Sequence, residues 1–212
     1  MKGNRADAAP QRYLLVVWDS VTLSSNKEVA EMTTHCDLYV AQTGKGFVVR
    51  VQGRGTSAHS PALASFARGC FEQDPDACVV VDLLACEYLD STFLGCLLNL
   101  QRTGTEKRFQ VVVNDVVRKK LLAATQLDAY LTLVTEAPKS ASTFLKIDAN
   151  PLTPHELGKH MMEAHQALAD VPSDSASAFR QIASQLKHEL EKQERDAPSM
   201  ADTVILPSRA RE

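Results

Sequence analysis

The fold is decided by the stretch Cys78–Leu100, CVVVDLLACEYLDSTFLGCLLNL, and the rest of the chain is organised around it. Its first residues, Cys78–Val81, form an apolar and mostly β-branched run, which is typical of a strand buried on both faces of a sheet. Asp82 ends this run, and a short loop leads to Asp90–Thr92, three residue types that cap helices. The apolar segment Phe93–Leu100 then has the length and composition of a helix. The stretch therefore predicts a strand that feeds a helix through a polar turn.

The polar turn places hydroxyl groups beside the unpaired backbone N–H groups of a helix start. Such a helix N-terminus favours negative charge, including a phosphate. The simplest interpretation is structural, since most Asp-Ser pairs at this position only cap the helix, as Asp90 or Ser91 can do here. The order of the surrounding elements gives more weight to a functional interpretation, in which Ser91 is the reactive group.

The same stretch resembles the centre of the STAS domain family, the anti-sigma factor antagonists. That family typically has an apolar strand ending in Asp, a short apolar loop, and Asp-Ser-Ser/Thr-Gly-Leu-Gly at the start of a helix. In this chain Asp82 ends the strand and Asp90–Gly95 (DSTFLG) opens the helix, with Phe93 where the family usually has Gly. As an order of elements, the resemblance extends over roughly Cys36–Ile147.

The resemblance implies an anti-sigma factor antagonist, or a related phosphorelay regulator, that switches partners by reversible phosphorylation of Ser91. One implied partner is an anti-sigma factor that acts as a serine kinase, and another is a metal-dependent serine phosphatase that reverses the modification. The phosphoryl acceptor is expected to be Ser91 rather than Thr92. The residues implied in partner binding are Asp90, Ser91, Thr92, Phe93 and Leu94.

Two alternatives remain open for this domain. One is a scaffold STAS module in a signalling assembly, and the other is a ligand-binding module that uses a pocket beside Phe93. A homodimer is also left open. The large side chain of Phe93, in place of the family's usual Gly, is expected to alter the groove beside Ser91 and with it the choice of partner.

Composition excludes several classes of protein. A net charge of −3 over 212 residues argues against a dedicated nucleic-acid binder, which needs a concentrated basic face. The chain has no apolar run long enough to cross a membrane, and Leu14–Trp18 is too short for a signal peptide. The five cysteines contain no Cys-x-x-Cys pair and are interpreted as buried apolar fillers in a reducing compartment. We therefore expect a cytoplasmic protein with no direct nucleic-acid or membrane partner.

The histidines do not form a recognisable catalytic or metal-binding pattern. His155-Glu156 and His160 have the spacing H-E-x-x-x-H instead of H-E-x-x-H, so the two imidazoles do not converge on one helix face. His165 lies five residues further on and is displaced around the helix in the same way. Gly44-Lys45 lacks the spacing of a phosphate-binding loop. We expect no enzyme, no cofactor and no metal site.

The predicted fold class is α/β, a STAS-like mixed β-sheet with helices, followed by a C-terminal helical hairpin. The predicted domains are a leader over 1–35 that is disordered or not assignable, the STAS-like domain over 36–148, a helical extension over 149–197 and a disordered tail over 198–212. Other predicted elements are strands over Leu38–Gln42, Phe47–Gln52, Phe109–Val113 and Tyr130–Val134, and helices over Ser60–Phe71, Asn114–Ala124 and Pro138–Ile147. The central helix is expected to end at Thr103–Lys107.

The hairpin is predicted from two amphipathic segments. Thr153–Glu156 (TPHE) is a capping box with proline at the first helical position, and a second segment with apolar residues at helical spacing begins at Ser173 or Ser175. We expect this hairpin to dock on the core or on a second copy, and to take no part in the switch.

Overall fold

The computed structural model of the chain describes residues 23–24, 36–148 and 151–196. Apart from Leu23–Ser24, the predicted leader lies outside the described residues, and so does the predicted tail over 198–212. The predicted boundary between the core domain and the helical extension stays a prediction.

The centre of the fold is a mixed sheet. Its strands are β1 Leu23–Ser24, β2 Cys36–Thr43, β3 Gly46–Gly55, β4 Cys78–Asp82, β5 Cys86–Leu89, β6 Phe109–Val112, β7 Leu133–Val134 and β8 Leu145–Ile147. Within the described residues the strand order is β1-β8-β2-β3-β4-β6-β7, and β5 pairs with β3. The pairs on the β1 side up to β3 are antiparallel, and the pairs from β3 to β7 are parallel. The predicted mixed sheet with a parallel half is confirmed.

Five α-helices accompany the sheet in the described part of the chain. They are α1 Ser60–Gln73, α2 Ser91–Arg108, α3 Asp115–Val117, α4 Pro154–Ala169 and α5 Ala176–Asp196. Helix α3 is short and passes into a π-helical turn over Arg118–Leu122 and 3-10 turns over Ala123–Thr125 and Leu127–Ala129. Asn114 caps α3 by accepting a hydrogen bond from the Val117 N–H.

Both faces of the sheet are buried, as the run Cys78–Val81 predicts. Successive side chains of a strand point to opposite faces. Val49 and Val81 lie in the main core with the apolar sides of α1 and α2, whereas Val48 and Val80 lie in a second, smaller cluster. Phe144 packs against that second cluster, so a loop covers the face that carries no long helix.

The two C-terminal helices form the predicted hairpin, and α4 packs on α2. The capping box at the start of α4 is present, with Thr153 and Glu156 exchanging hydrogen bonds. Leu190 of α5 lies against Gly158 of α4, at a place where a larger residue would crowd it. The hairpin therefore adds a further layer to the core on the side of α2.

The predicted closing helix over Pro138–Ile147 is wrong. Leu145–Ile147 is the strand β8, which inserts between β1 and β2 with antiparallel pairing to both. The partners of this strand are about a hundred positions away in the sequence, so local residue preferences do not show the pairing.

Two other boundaries differ because of packing. Helix α2 continues past Gly104 and ends at Arg108. Gly104 does not end the helix; it is needed for close packing, because a side chain there would collide with Phe71 and Phe109. The expected loop after β4 contains strand β5, whereas the predicted strand Tyr130–Val134 is reduced to β7.

Candidate functional site

Ser91 is the first residue of α2, one residue after Asp90 and two after the end of β5. The Asp90 N–H donates to the Gly55 carbonyl over 3.0 Å, which fixes the turn to the carboxyl end of β3. The Leu94 N–H donates to the Asp90 carbonyl over 3.0 Å, so Asp90 is the N-terminal cap of α2. The site therefore lies at the carboxyl edge of the parallel strands, where functional loops of such sheets gather.

The Asp90 side chain completes the cap. Its Oδ1 accepts from the Phe93 N–H over 2.8 Å, and its Oδ2 accepts from the Ser57 N–H over 2.7 Å. Of the two residues that could cap the helix, Asp90 does so, and the Ser91 hydroxyl is left for another contact.

That contact is with a histidine from the C-terminal hairpin. Ser91 Oγ and His165 Nε2 are 2.9 Å apart, and His165 Nδ1 is 2.8 Å from the Met161 carbonyl oxygen. A carbonyl can only accept, so Nδ1 carries a hydrogen, and in the neutral ring Nε2 accepts the Ser91 hydroxyl hydrogen. The His165 side chain is buried, whereas Ser91 is partly buried.

A second serine and histidine form a similar pair at the start of α1. Ser60 Oγ lies 2.8 Å from His160 Nε2. His59 occupies the cap position of α1, and Ser60 is a wholly buried residue of the helix itself. Burial lowers the pKa of His160, and the nearby Arg68 lowers it further, while Asp90 opposes these two effects. Helix α4 thus contacts the first residues of α1 and α2 through two serine–imidazole hydrogen bonds.

The backbones of α2 and α4 also approach closely. A Cβ atom added at Gly95 would lie 2.2 Å from the Ala164 carbonyl oxygen, so only glycine fits there. Further along, Asn99 Nδ2 donates to the Glu163 carbonyl over 3.3 Å, and Arg102 pairs with Asp170 at 3.1 Å. Contact therefore runs along α2 well beyond Ser91.

The residues expected to bind a partner differ in their accessibility. The side chain of Thr92 is 2% exposed and that of Phe93 is 0% exposed, and Leu94 is also buried. Phe93 packs at the end of β3, where a side chain at Gly55 would meet its ring. It therefore lines no open groove beside Ser91. Of these five residues, Asp90 and Ser91 keep partial exposure, and the role of all five in partner binding stays a prediction.

Asp82, the residue that ends the central strand, has a structural role. Its Oδ2 forms an ion pair with Arg50 Nε at 3.1 Å, and its Oδ1 accepts from the Leu84 N–H over 3.0 Å. The Arg50 guanidinium also lies 4.2 Å from the centre of the Phe144 ring. These contacts fix the loop after β4 and the loop that carries Phe144 over the second face of the sheet.

An open cleft of about 970 Å³ lies at the opposite end of the sheet. Gly46, the first residue of β3, and Cys78, the first of β4, line it together with Lys45, Lys139 and Asp74. Since β3 ends at Gly55 beside Asp90, the length of this strand separates the cleft from Ser91 by about 30 Å. The cleft and the serine are therefore separate features.

The structure also locates the histidines whose spacing in the sequence argues against a metal site. His160 and His165 bind serines, and His155 faces Glu194 at 3.3 Å. Over residues 36–148 and 151–196 no three His, Cys, Asp or Glu side chains are grouped as a metal ion would need. No helix in the described part of the chain has the length and apolar character to cross a bilayer.

Sequence reasoning missed His160 and His165 as neighbours of the serines. A signal for His165 was present, because it follows Met161 by four positions and so lies in the apolar stripe of α4 with Ala164 and Leu168. A buried polar residue in such a stripe needs a partner on the surface that the stripe covers.

The comparison with protein-family models agrees with the motif. A family model described as "Mlab, STAS domain" matches residues 38–135. A solved structure, the crystal structure of an anti-sigma factor antagonist from Mycobacterium paratuberculosis, is similar with 25% sequence identity and a TM-score of 0.42, and the match covers 50% of this chain and 92% of that one. The search of curated proteins found no match.

The matched region 38–135 begins in β2, ends just after β7, and contains the whole of the Asp90–Gly95 motif at its centre. The mixed sheet and the helix that starts at Ser91 are the elements that the motif predicts. Residues 38–135, a little under half of the chain, therefore match the STAS domain family model.

Proposed function

We propose that the chain is a cytoplasmic, non-enzymatic regulator that binds an anti-sigma factor and is switched by reversible phosphorylation of Ser91. The observation that carries this proposal is the position of Ser91. It begins α2 directly after the capping residue Asp90, in the motif by which the chain resembles anti-sigma factor antagonists. The anti-sigma factor would act as the serine kinase, and a serine phosphatase would reverse the modification.

The chemistry of the position supports Ser91 as the acceptor. Asp90 satisfies the Phe93 N–H, so the Ser91 hydroxyl is not consumed by capping. Thr92, the neighbouring hydroxyl, is buried and has no path to an enzyme without movement of the helix. A phosphate on Ser91 would also lie at a helix N-terminus, where backbone N–H groups and the helix dipole favour an anion.

The proposed effect of phosphorylation is electrostatic. A phosphoserine carries roughly −1.5 to −2 charges near pH 7. This charge would lie beside the Asp90 carboxylate on the surface that a partner is proposed to contact. A partner surface that fits the neutral hydroxyl would meet repulsion and an uncompensated desolvation cost, so binding would be lost.

The ligand-binding alternative has less support than the switch. It needs a pocket beside Phe93, whose side chain is wholly buried, and the open cleft lies at the other end of the sheet. No specific contact favours the scaffold alternative. The two proposals differ in what the protein would carry with it from cells: a kinase or anti-sigma factor supports the switch, and a large homomeric particle supports the scaffold.

The test is capture of the kinase followed by mapping of the modified residue. Partners would be purified from source cells on immobilised Ser91→Ala protein, and the bound kinase would be incubated with ATP and the wild-type chain. We expect one phosphopeptide, carrying Ser91, in the wild type and in the Thr92→Val control, which keeps the shape of Thr92 without its hydroxyl. Full labelling of the Ser91→Ala protein would reject Ser91 as the acceptor.

A further inference from the structure

We propose that the face of α2 that begins at Ser91 is a binding surface for an amphipathic helix, that α4 occupies it in the closed chain, and that phosphorylation and partner binding both require α4 to leave. That α4 must leave before phosphorylation rests on the proposed function of Ser91. That α4 covers Ser91 in the closed chain does not depend on that function. This inference replaces the sequence-based expectation that the hairpin takes no part in the switch, because His165 contacts Ser91 directly.

The first argument is the space around the hydroxyl. His165 Nε2 lies 2.9 Å from Ser91 Oγ, at hydrogen-bond distance, so the imidazole occupies the position from which a kinase base would take the hydroxyl hydrogen. In the transfer step, the bond from the γ-phosphorus of ATP to its bridging oxygen breaks, the Oγ–P bond forms, the Ser91 proton passes to a kinase base and ADP leaves. A kinase base cannot reach this hydrogen while the ring of His165 is in place.

The second argument is that the contact is continuous and not confined to one hydrogen bond. Ser60 and His160 form a second anchor at the start of α1. Gly95 admits the backbone of α4 at Ala164, and Asn99 and Arg102 bond to carbonyl oxygens of Glu163 and Ala167. The surface has thus the features of a helix-binding groove: a small residue at the centre, polar groups beside it, and apolar residues around it.

The third argument indicates the kind of partner. Leu168 and Val171 of the hairpin region are buried in the main core cluster, together with Ala167. Opening the hairpin exposes this apolar surface, which keeps the closed form dominant in the absence of a competitor. A competitor must therefore bury apolar side chains of its own and place a small residue opposite Gly95. An amphipathic helix with Ala or Gly at that position meets both requirements.

Phosphorylation would then exclude both occupants. It removes the hydrogen that Ser91 Oγ donates to His165 and puts an anion with three oxygens where the ring lies. A helix from a partner that uses the same surface would meet the same obstacle. The proposal therefore links a closed form, an open form that the kinase and the partner can reach, and a phosphorylated form that binds neither helix.

The test measures the accessibility of position 91 and needs no kinase. Ser91→Cys would be introduced in a Cys78→Ser background and labelled with Ellman's reagent at pH 8. The remaining native thiols are protected, because burial raises the pKa of Cys36, Cys70 and Cys96 to about 12 and also raises that of Cys86. Mass mapping of the labelled residues then separates local opening, which labels only the introduced thiol, from unfolding, which labels the native thiols as well.

Two matched pairs of variants open the hairpin or leave it closed. Gly95→Ala adds a Cβ that collides with Ala164, whereas Gly69→Ala adds one to α1 where nothing lies within 4 Å; both changes raise helix propensity. Ala164→Arg puts a long charged side chain into the buried contact, and Gln166→Arg puts it on the exposed side of the same helix.

We expect Gly95→Ala and Ala164→Arg to raise the labelling rate of the introduced thiol by about tenfold or more, and the two controls to change it less than about twofold. Equal labelling rates within both pairs, or rapid labelling of this thiol in the parent protein, would overturn the inference that α4 covers position 91. Equal phosphorylation of wild type and Gly95→Ala by the captured kinase would overturn the requirement for opening and leave the proposed function intact. An opened Gly95→Ala protein that accepts no phosphate and binds no partner would instead refute the proposed function while the covering stands.

Discussion

The Asp90 carboxylate and the Ser57 backbone N–H are joined by a hydrogen bond of 2.7 Å. Ser57 lies in the turn before α1, and the other oxygen of Asp90 caps α2 through the Phe93 N–H. One carboxylate therefore holds the starts of α1 and α2 at a fixed separation. Because Ser60 and Ser91 are the first residues of these helices, Asp90 also sets the spacing of the two serines that α4 contacts.

Asp90→Ala is expected to destabilise the chain by about 1–3 kcal/mol. It removes the cap of α2, which is worth about 0.5–2 kcal/mol, and leaves the Ser57 N–H without its acceptor. Urea unfolding monitored by circular dichroism measures the change. Asp90→Asn, which keeps one carbonyl oxygen, should lose less, and an Asp90→Ala protein with the wild-type midpoint would contradict the double role of the carboxylate.

Ser91→Asp is expected to weaken binding of the proposed partner, an anti-sigma factor, by about tenfold or more, because it mimics part of the phosphate charge. Ser91→Ala should retain binding. The start of α2 itself should tolerate the carboxylate, which is favourable at a helix N-terminus by about 0.3–1 kcal/mol, so a fall in the melting temperature would report the lost contact with His165. Calorimetric titration gives the affinities. Ser91→Asn has the shape of Asp without its charge, so equal loss in both variants would show that size and not charge excludes the partner.

Ser91 and His165 are expected to be coupled by about 0.5–1.5 kcal/mol, the usual net value of one hydrogen bond. The coupling is obtained from unfolding free energies of Ser91→Ala, His165→Ala and the double variant. Ser60→Ala combined with His165→Ala provides the control, since Ser60 bonds to His160, and should be additive within about 0.5 kcal/mol. Additivity in the first cycle would show that the serine and the imidazole do not interact in solution.

Acid is expected to release α4. Burial, assisted by Arg68 and opposed by Asp90, lowers the pKa of His160 from its ordinary value of 6.5, so the released helix binds a proton more readily than the docked one. The docked form is thus fully favoured above pH 6.5 and is weakened as the pH falls from there through the lowered pKa of docked His160. Hydrogen–deuterium exchange of α4 at a series of pH values from about 7.5 downward, corrected for the intrinsic rates, measures the release.

The matched variants for this effect are His160→Gln and His188→Gln. Removal of His160 should flatten the pH dependence, while His188 lies on the exposed side of α5 and its replacement should leave it unchanged. An identical pH profile for His160→Gln and the wild type would assign the effect elsewhere.

Gly46→Ala is expected to destabilise the fold by about 1–3 kcal/mol or more. Gly46 has a φ of +142°, and a Cβ there would lie 2.1 Å from the Cys78 carbonyl oxygen. Gly44→Ala, two residues earlier in the same β-turn, meets nothing within 4 Å and should have little effect. Equal urea midpoints for the two variants would show that the strand start at Cys78 can move away.

The parts of the fold that are predictable from sequence are those specified locally. The strand from Cys78, the helix after Asp90 and the capping box at Thr153 each have their signal within a few residues. Strand β8 is predicted wrongly as a helix because its partners come from the other end of the domain. Gly104 suggests a helix end in the sequence because its close neighbours, Phe71 and Phe109, are known only from the packing.

The candidate site shows the same division. The motif identifies Asp90 and Ser91, since a cap and a hydroxyl at a helix start are sequence-local features. Nothing local joins Ser91 to His165, which are 74 positions apart and meet only when α4 docks. The five-residue spacing of His160 and His165 argues against metal binding in the sequence, yet it also lets one helix reach the starts of two others.

The insertion of β8 between β1 and β2 has a consequence for competition. This strand is anchored on both sides, and α4 begins only a short distance along the chain after it ends at Ile147. So short a tether holds α4 near its groove at an effective concentration in the mM range, roughly a thousandfold above a partner present at micromolar concentration. A partner helix arriving from solution must bind the groove more tightly than α4 by about that factor. The length of the connection after Ile147 therefore determines how tightly a partner must bind in order to displace α4.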